Sequence, residues 1–257
     1  VLLAVASHRG IILQVDVAQR SLLGNRAENQ DRVAVISSAE ATLLIAVDGM
    51  GGHAGGAEAA RLSVEVITRE FAAVDLPVFD PQGFMHHAIG QAHYALVALG
   101  NEISVEARPR ATCALCLVQD GYAYWAHVGD SRIYHYRNSA VFERSRDHSH
   151  VEVLLQEGLI TEDEVSTHPM RNFVECCLGG DNSLPAMTIT RYKQLVPNDV
   201  LLVCSDGFWS GLSDAEMASI TVEGAIGPQL EALAETAVQM AAPHSDNTSA
   251  AALRFIA

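Results

Sequence analysis

The sequence is short of positive charge. Its 257 residues carry 16 Lys and Arg against 31 Asp and Glu, a net charge of −15. No five-residue stretch holds more than two basic side chains. A nucleic-acid binder needs basic patches to displace counterions, so that class is excluded, and an anionic membrane surface is disfavoured for the same reason. No apolar run approaches the length of a membrane span. The N-terminal VLLAVAS stretch breaks at His8 with no basic region before it. Cysteine is sparse and odd in number, five, which forbids a complete disulfide framework and suits reduced thiols in a cytoplasmic protein. The missing initiator Met predicts that residue 1 lies inside a longer or trimmed product. Several motifs are missing too: GxxxxGK[ST], HExxH, zinc-spaced Cys/His sets and GxSxG. Cys113-x-x-Cys116 imitates a redox pair, but in a strand these positions point to opposite faces.

What is present is apolar content, 49% of the chain. That is enough to exclude disorder and to build a large core. No repeat, linker or low-complexity stretch divides the chain. Residues 11–18, 42–48, 186–192, 200–204 and 249–256 read as strands. Ala60, Val64, Ile67 and Phe71 mark one amphipathic helix; Met85, Ile89, Ala92, Leu96 and Leu99 mark a second that stops at Gly100; residues 229–242 form a third. Four short segments between 112 and 144, split at Gly or Asn, read as an antiparallel meander. That run contradicts regular βαβ alternation and argues for one α+β domain. Between 147 and 184 the chain is mixed and polar, with a short helix near Val151–Leu155 and a capping-box pattern at Thr161 and Glu164.

Four aspartates stand after apolar runs or in tight turns: Asp48 (AVDGMGGH), Asp130 (HVGDSR), Asp206 (VCSDGF) and Asp246 (HSDNT). Taken singly, each is ordinary turn chemistry. Taken together, with Asn29-Gln30-Asp31 nearby, they outnumber the cations available to pair them. Carboxylates at buried strand ends are costly unless paired or bound to metal. Oxygen-only donors select a hard cation, Mg²⁺ or Mn²⁺. GMGGHAGG holds five glycines in eight residues and brings backbone carbonyls beside Asp48. Arg26, four residues before Gln30, has the planar fork that clamps a phosphoryl group.

RAENQD (26–31), VDGMGGHAGG (47–56), AHVGDSRIY (126–134), VCSDGFW (203–209) and SDNTS (245–249) resemble the ordered signature blocks of the metal-dependent protein serine/threonine phosphatases, the PPM or type 2C family. DHS and GLITEDEVSTHPMRN resemble its bacterial branch. The resemblance spans about residues 13 to 256 and implies one domain over 1–257. The implied fold is a four-layer α/β/β/α sandwich, two central antiparallel β-sheets flanked by helices, with a flap at about 147–184. It implies two Mn²⁺ or Mg²⁺ ions sharing a hydroxide that attacks the phosphoryl group of a phosphoserine or phosphothreonine protein. Asp48 would bridge the ions and the Gly49 carbonyl would ligate one. Asp206 and Asp246 would hold the other, and Asp130 with Asp206 a possible third. Asp31 would support the second ion through water, although Gln30 has lost the charge of the usual acidic pair. Arg26 would bind substrate phosphate. Met50 replaces a His found in some members, leaving His53 or a metal-bound water as general acid. Cys176-Cys177 replace a more usual basic residue before the LG pair. The implied partners are phosphorylated proteins and a serine/threonine kinase, one setting being a secretion-system kinase/phosphatase pair; the chain is expected to be a monomer. Two rival readings are a catalytically weak phosphoprotein-binding relative and a small-molecule phosphomonoesterase.

Overall fold

The computed structural model describes residues 13–50, 53–165 and 167–257, without the side chains of His53, Ala54 and Glu106. The chain opens with strands β1 (Val15–Leu22), β2 (Asp31–Ser37) and β3 (Ala41–Met50), then helices α1 (His53–Ala72) and α2 (Pro81–Leu99). Strands β4 (Arg110–Ala111), β5 (Cys113–Gln119), β6 (Tyr122–Val128), β7 (Arg132–Arg137) and β8 (Ala140–Arg144) follow. The next stretch holds α3 (His150–Gln156), α4 (Glu162–Val165) and the two-residue strands β9 (Leu178–Gly179), β10 (Thr188–Ile189) and β11 (Lys193–Gln194). Last come β12 (Val200–Cys204), α5 (Asp206–Trp209), α6 (Asp214–Met217), α7 (Ile226–Met240) and β13 (Thr248–Phe255).

Two sheets form the centre. One runs β1-β13-β12-β7-β8. The other, eight-stranded, has β3 between β2 and β5, with β6, β10 and β11 beyond β5 and β4-β9 branching from the end of β3. Every pairing is antiparallel. The alternation of side chains along the strands makes three apolar layers. Leu44, Ala46, Cys116, Leu201, Val203 and Leu253 fill the space between the sheets. Leu43, Ile45 and Leu115 face α1 and α2 through Ile67, Phe71, Met85 and Ile89. Leu202, Ala250 and Ala252 face α5 and α7 through Phe208, Leu230, Leu233 and Ala237. The four-layer sandwich expected from the sequence is therefore the observed one.

Local details differ from the sequence reading, each for a physical reason. Strand β1 runs Val15–Leu22 and not 11–18, because the whole of β13 pairs with it, Val15 to Phe255 through Leu22 to Thr248. Residues 11 and 12 lie outside the described residues. The glycine-rich stretch, read as a loop, instead gives Gly49 and Met50 to the end of β3 and residues from His53 on to α1; residues 51 and 52 lie outside the described residues. Pro81 occupies the first turn of α2, ahead of the apolar stripe that marks this helix, where its missing N–H costs nothing, and Asp80 caps that end by accepting from the Gly83 N–H at 2.9 Å. The four-strand meander is split. Strands β5 and β6 pair in one sheet, while β7 and β8 belong to the other. The chain crosses between sheets at Gly129, whose φ of +96° and close approach to Thr112 leave no room for a Cβ. Cys113 faces the helices and Cys116 the inter-sheet core, so the apparent redox pair is two separate core thiols. No helix among the described residues is long and apolar enough to cross a membrane.

Candidate metal centre

A cleft of about 510 Å³ opens where strand β3, the β6–β7 crossing, α5 and the start of β13 end together. Arg26, Glu28, Asp48, Asp130, Asp206 and Asp246 line it, with Gln30, Gly49, Met50 and Asn247 between them. Five carboxylates thus face one guanidinium among the described lining residues.

Each carboxylate has its own support. Asp48 sits in the β3 ladder opposite Asp31 of β2. Its backbone bonds in both directions to Thr112: Asp48 N–H donates to Thr112 Oγ1 at 3.1 Å, and Thr112 N–H donates to Asp48 O at 2.8 Å. Thr112 Oγ1 also lies 2.6 Å from Ser131 Oγ, fastening the Asp48 strand to the Asp130 turn. Gly49 is packed against the Gly56 and Gln30 carbonyls, so that any side chain there would collide with backbone. The Asp130 carbonyl accepts from Trp209 Nε1 at 3.0 Å. The Trp209 ring is covered by the Arg132 guanidinium at 3.3 Å, and Arg132 holds Asp147 through two bonds of 2.9 and 2.8 Å. Asp206 opens α5 directly after β12. Asp246 accepts from Asn247 N–H at 2.8 Å and from Arg26 Nη2 at 2.6 Å. Asn247 staples the Arg26 loop: its Nδ2 donates to the Leu23 and Glu28 carbonyls at 2.8 and 3.1 Å, and its Oδ1 accepts from Gln30 N–H at 2.8 Å.

The electrostatics are those of an anionic cluster. Burial, then the charges of Asp31, Asp206, Asp130 and Asp246, push Asp48 well above the ordinary carboxylate range. Burial followed by the charges of Asp206 and Asp147 brings Asp130 up to about 8. Burial and the Asp246 charge bring Asp206 to about 6, with the Gly207 N–H and Arg26 pulling the other way. Asp48 and Asp206 are only half-buried, on the open floor of the cleft, so solvent moderates this penalty. Among the described residues no three His, Cys, Asp or Glu side chains already converge on a single point. The donors nevertheless fit hard divalent ions. They are all oxygen, they repel one another as the protein stands, and Arg26, the one cation among the described lining residues, is more than half exposed and held by Asp246 alone of them.

Six of the eight residues expected from the sequence meet in this cleft: Arg26, Asp48, Gly49, Asp130, Asp206 and Asp246. Asp31 does not line it. It is buried behind Asp48, where Ser205 Oγ donates to its Oδ2 at 2.6 Å; burial, tempered by that bond, raises it to about 7. The His53 side chain lies outside the described residues; its backbone begins α1. Gln30 contributes backbone, its carbonyl accepting from Gly49 N–H at 3.0 Å. Sequence reasoning missed Thr112, Arg132, Asp147, Ser205 and Trp209 as supports. Of these, Arg132, Ser205 and Trp209 lie inside the quoted blocks, and Asp147 opens the DHS stretch.

The flap begins and ends against this site. His148 N–H donates to the Gly129 carbonyl at 2.9 Å and the Gly129 N–H donates back to His148 Nδ1 at 3.3 Å. Glu175 N–H donates to the His148 carbonyl at 2.8 Å, and Ser149 bridges Val174. Asn172 and Val174 therefore form the far wall of the cleft.

A two-sheet sandwich carrying a cleft of hard oxygen donors beside an arginine is suited to gathering divalent cations next to a bound anion. The protein phosphatase 2C family model matches residues 18–244. A putative protein phosphatase 2C-type of Streptococcus pyogenes is 30% identical over 212 residues, 82% of this chain and 83% of that protein. The S. agalactiae serine/threonine phosphatase structure superposes with a TM-score of 0.86 at 25% identity, over 95% of this chain and all of that one. The catalytic domain of PstP, solved in complex with two manganese ions, gives 0.77 at 26% identity over 95% and 99% of the two chains. The chain belongs to the protein phosphatase 2C (PPM) family of metal-dependent serine/threonine phosphatases, in its bacterial branch.

Proposed function

We propose that this cleft removes phosphate from phosphoserine and phosphothreonine in proteins, reversing a bacterial serine/threonine kinase, with two Mn²⁺ or Mg²⁺ ions and a possible third. The observation that carries the reading is the lining itself, five carboxylates against one guanidinium. The relative solved with two manganese ions supports the choice of cation. Asp48 would serve both ions and the Gly49 carbonyl one of them; Asp206 and Asp246 would hold the second; Asp130 would join Asp206 at the third, with Asp31 behind Asp48 in support. When bound, such ions supply the charge that activates a water and neutralises phosphoryl oxygens. The chain does the rest. Arg26, on a loop stapled by Asn247, presents two N–H donors at the cleft mouth and moves from Asp246 to the substrate phosphate. Asn172 and Val174 of the flap wall the substrate side. His53, whose backbone begins α1, is one of the two general acids the resemblance leaves open; if it gives the leaving oxygen its proton, His53→Gln should lose the alkaline limb of the pH–rate profile, and an unchanged profile would remove it from that role.

The deciding assay is phosphate release from a phosphothreonine peptide after chelation, then with each ion restored. Activity should vanish and return with Mn²⁺ or Mg²⁺. Undiminished turnover in chelator contradicts the metal reading. A phosphosugar preferred over the peptide contradicts the protein-phosphatase reading.

A further inference from the structure

A second cleft, about 610 Å³, is lined by other residues of the same segments and has no part in the chemistry above. The flap's return segment contributes Asn172 and Val174 to the carboxylate cleft and Glu175, Cys176 and Cys177 to its neighbour. Gly49 and Met50 line the first cleft and pair in register with Ala111 and Arg110, which pair in turn with Leu178 and Gly179. Arg110 and Gly179 line the second. Met50 of the first cleft and Gly179 of the second are thus two strand spacings apart, roughly 10 Å, the span of about three residues of extended chain.

Two guanidiniums line this second cleft, Arg110, whose Nη2 donates to the Val105 carbonyl at 2.7 Å, and Arg108. Arg108 Nη1 donates to the Gly180 carbonyl at 3.0 Å and its Nε to the Ile103 carbonyl at 3.3 Å. These bonds fix the guanidinium without neutralising it, and among the described residues no carboxylate lies within ion-pair distance of Arg108. The cleft's own acids are engaged elsewhere. Glu175 pairs with His150 at 2.9 Å, and Asp181 Oδ1 accepts the Asn182 and Ser183 N–H groups at 2.5 and 3.3 Å. A fixed, part-buried guanidinium in a cleft built from the same segments as a phosphate-removing site suits an anionic group carried by the same substrate chain.

We propose that this cleft is a substrate subsite in which Arg108 receives an anionic side chain, an Asp or Glu carboxylate or a second phosphate, about three residues from the phosphorylated serine or threonine. The proposal rests on the phosphoprotein reading of the first cleft. It makes Arg108 a specificity residue: acidic flanks dock, basic flanks are repelled, and the preference weakens as salt screens it.

The test is kcat/KM on phosphothreonine peptides carrying Ala, Glu, phosphoserine or Lys at each of the positions flanking the phosphothreonine on either side. The readout is the Glu-to-Ala ratio within each enzyme, so that a general loss of activity cancels. Wild type should favour Glu at one position near three residues away by about fivefold. A still larger preference for phosphoserine there identifies the second phosphate as the natural occupant. Arg108→Gln should bring the ratio to one, and Arg108→Glu should turn the preference towards Lys. Leu184→Glu, on the exposed rim and outside the Arg108 hydrogen bonds, should also lower the ratio. Hydrolysis of every phosphopeptide with a ratio near one at all positions, or a ratio that survives Arg108→Gln, overturns the subsite. Hydrolysis of no phosphopeptide at all instead overturns the reading on which it rests.

Discussion

Asp48 and Asp130 reach the same cleft by different means. Asp48 is carried by a ten-residue strand whose ladder bonds run to β2 on one side and to β5 and β4 on the other. Its place is set by backbone. Asp130 stands on a two-sheet crossing with no ladder of its own. Its place is set mainly by side chains: Trp209 on its carbonyl, Thr112 through Ser131, and His148 Nδ1 on the Gly129 N–H, with one backbone bond from His148 N–H to the Gly129 carbonyl. Backbone-held ligands tolerate changes in their neighbours, whereas side-chain-held ligands move when one brace is removed. The difference also orders the carboxylates by expected importance, since Asp48 and Asp206 are assigned to the two principal ions and Asp130 to a third alone.

The largest effect should come from the principal ligands. Asp48→Asn and Asp206→Asn should each lower kcat by about a hundredfold or more, and Asp130→Asn by about tenfold or less, because lost charge at an ion costs several kcal/mol of transition-state stabilisation. Steady-state kinetics with calorimetric Mn²⁺ titration checks the ranking; equal losses, or a greater one at Asp130, would break it.

Arg26→Ala should lower kcat/KM for phosphopeptide about tenfold to thirtyfold, the loss of charge-assisted hydrogen bonds worth about 1.5 to 2 kcal/mol in total. It frees Asp246, so Mn²⁺ affinity should hold or rise. A collapse of Mn²⁺ binding would show that the Arg26 loop shapes the cleft instead.

Trp209→Phe sharpens the contrast on the Asp130 side. It keeps a ring beneath Arg132 and removes the N–H on the Asp130 carbonyl. The weakest Mn²⁺ site should lose about threefold to tenfold in affinity, at the low end of what supporting partners contribute, with the tighter sites unchanged. Uniform weakening of all sites would mean that the brace is not specific to Asp130.

The smallest effect is a pH dependence of a few degrees in Tm. In the protein without ions, burial and then the charges of neighbouring carboxylates push Asp31, Asp130 and Asp206 up to about 7, about 8 and about 6 from an ordinary 3.8. Raised carboxylates bind protons more tightly folded than unfolded, so their contribution is full below about pH 4 and is lost as pH rises through 6 to 8. Mn²⁺ should therefore raise Tm more at pH 8 than at pH 6. Scanning calorimetry at both values, with and without the ion, decides the sign.

Most of the architecture was legible because periodicity reports burial. The stripes of α1 and α2, the unbroken apolar runs of β3 and β12, and the opposite facing of Cys113 and Cys116 follow from local pattern alone. Four carboxylates were legible because an ionised group after a buried strand needs a reason. What local pattern does not encode is pairing between distant segments. Nothing near Gly129 says that β6 and β7 part into different sheets. Nothing in NQD says that Asp31 turns to Ser205, 174 residues on, while Asp48 turns to the cleft. The Arg132–Trp209–Asp147 brace joins three blocks that each look complete alone. The second cleft is likewise built from a strand and a flap segment whose pairing, Arg110 with Gly179, is set by the sheet.

On the proposed reading, the cleft carboxylates gather divalent ions where Arg26 can reach their phosphoryl substrate. Anomalous diffraction at the manganese edge, on crystals grown with Mn²⁺, tests it directly. Two strong peaks should lie in the cleft among Asp48, the Gly49 carbonyl, Asp206 and Asp246, with any weaker third beside Asp130. Peaks confined to surface histidines or to the Asp31 side of β3, with none in the cleft, would contradict the account.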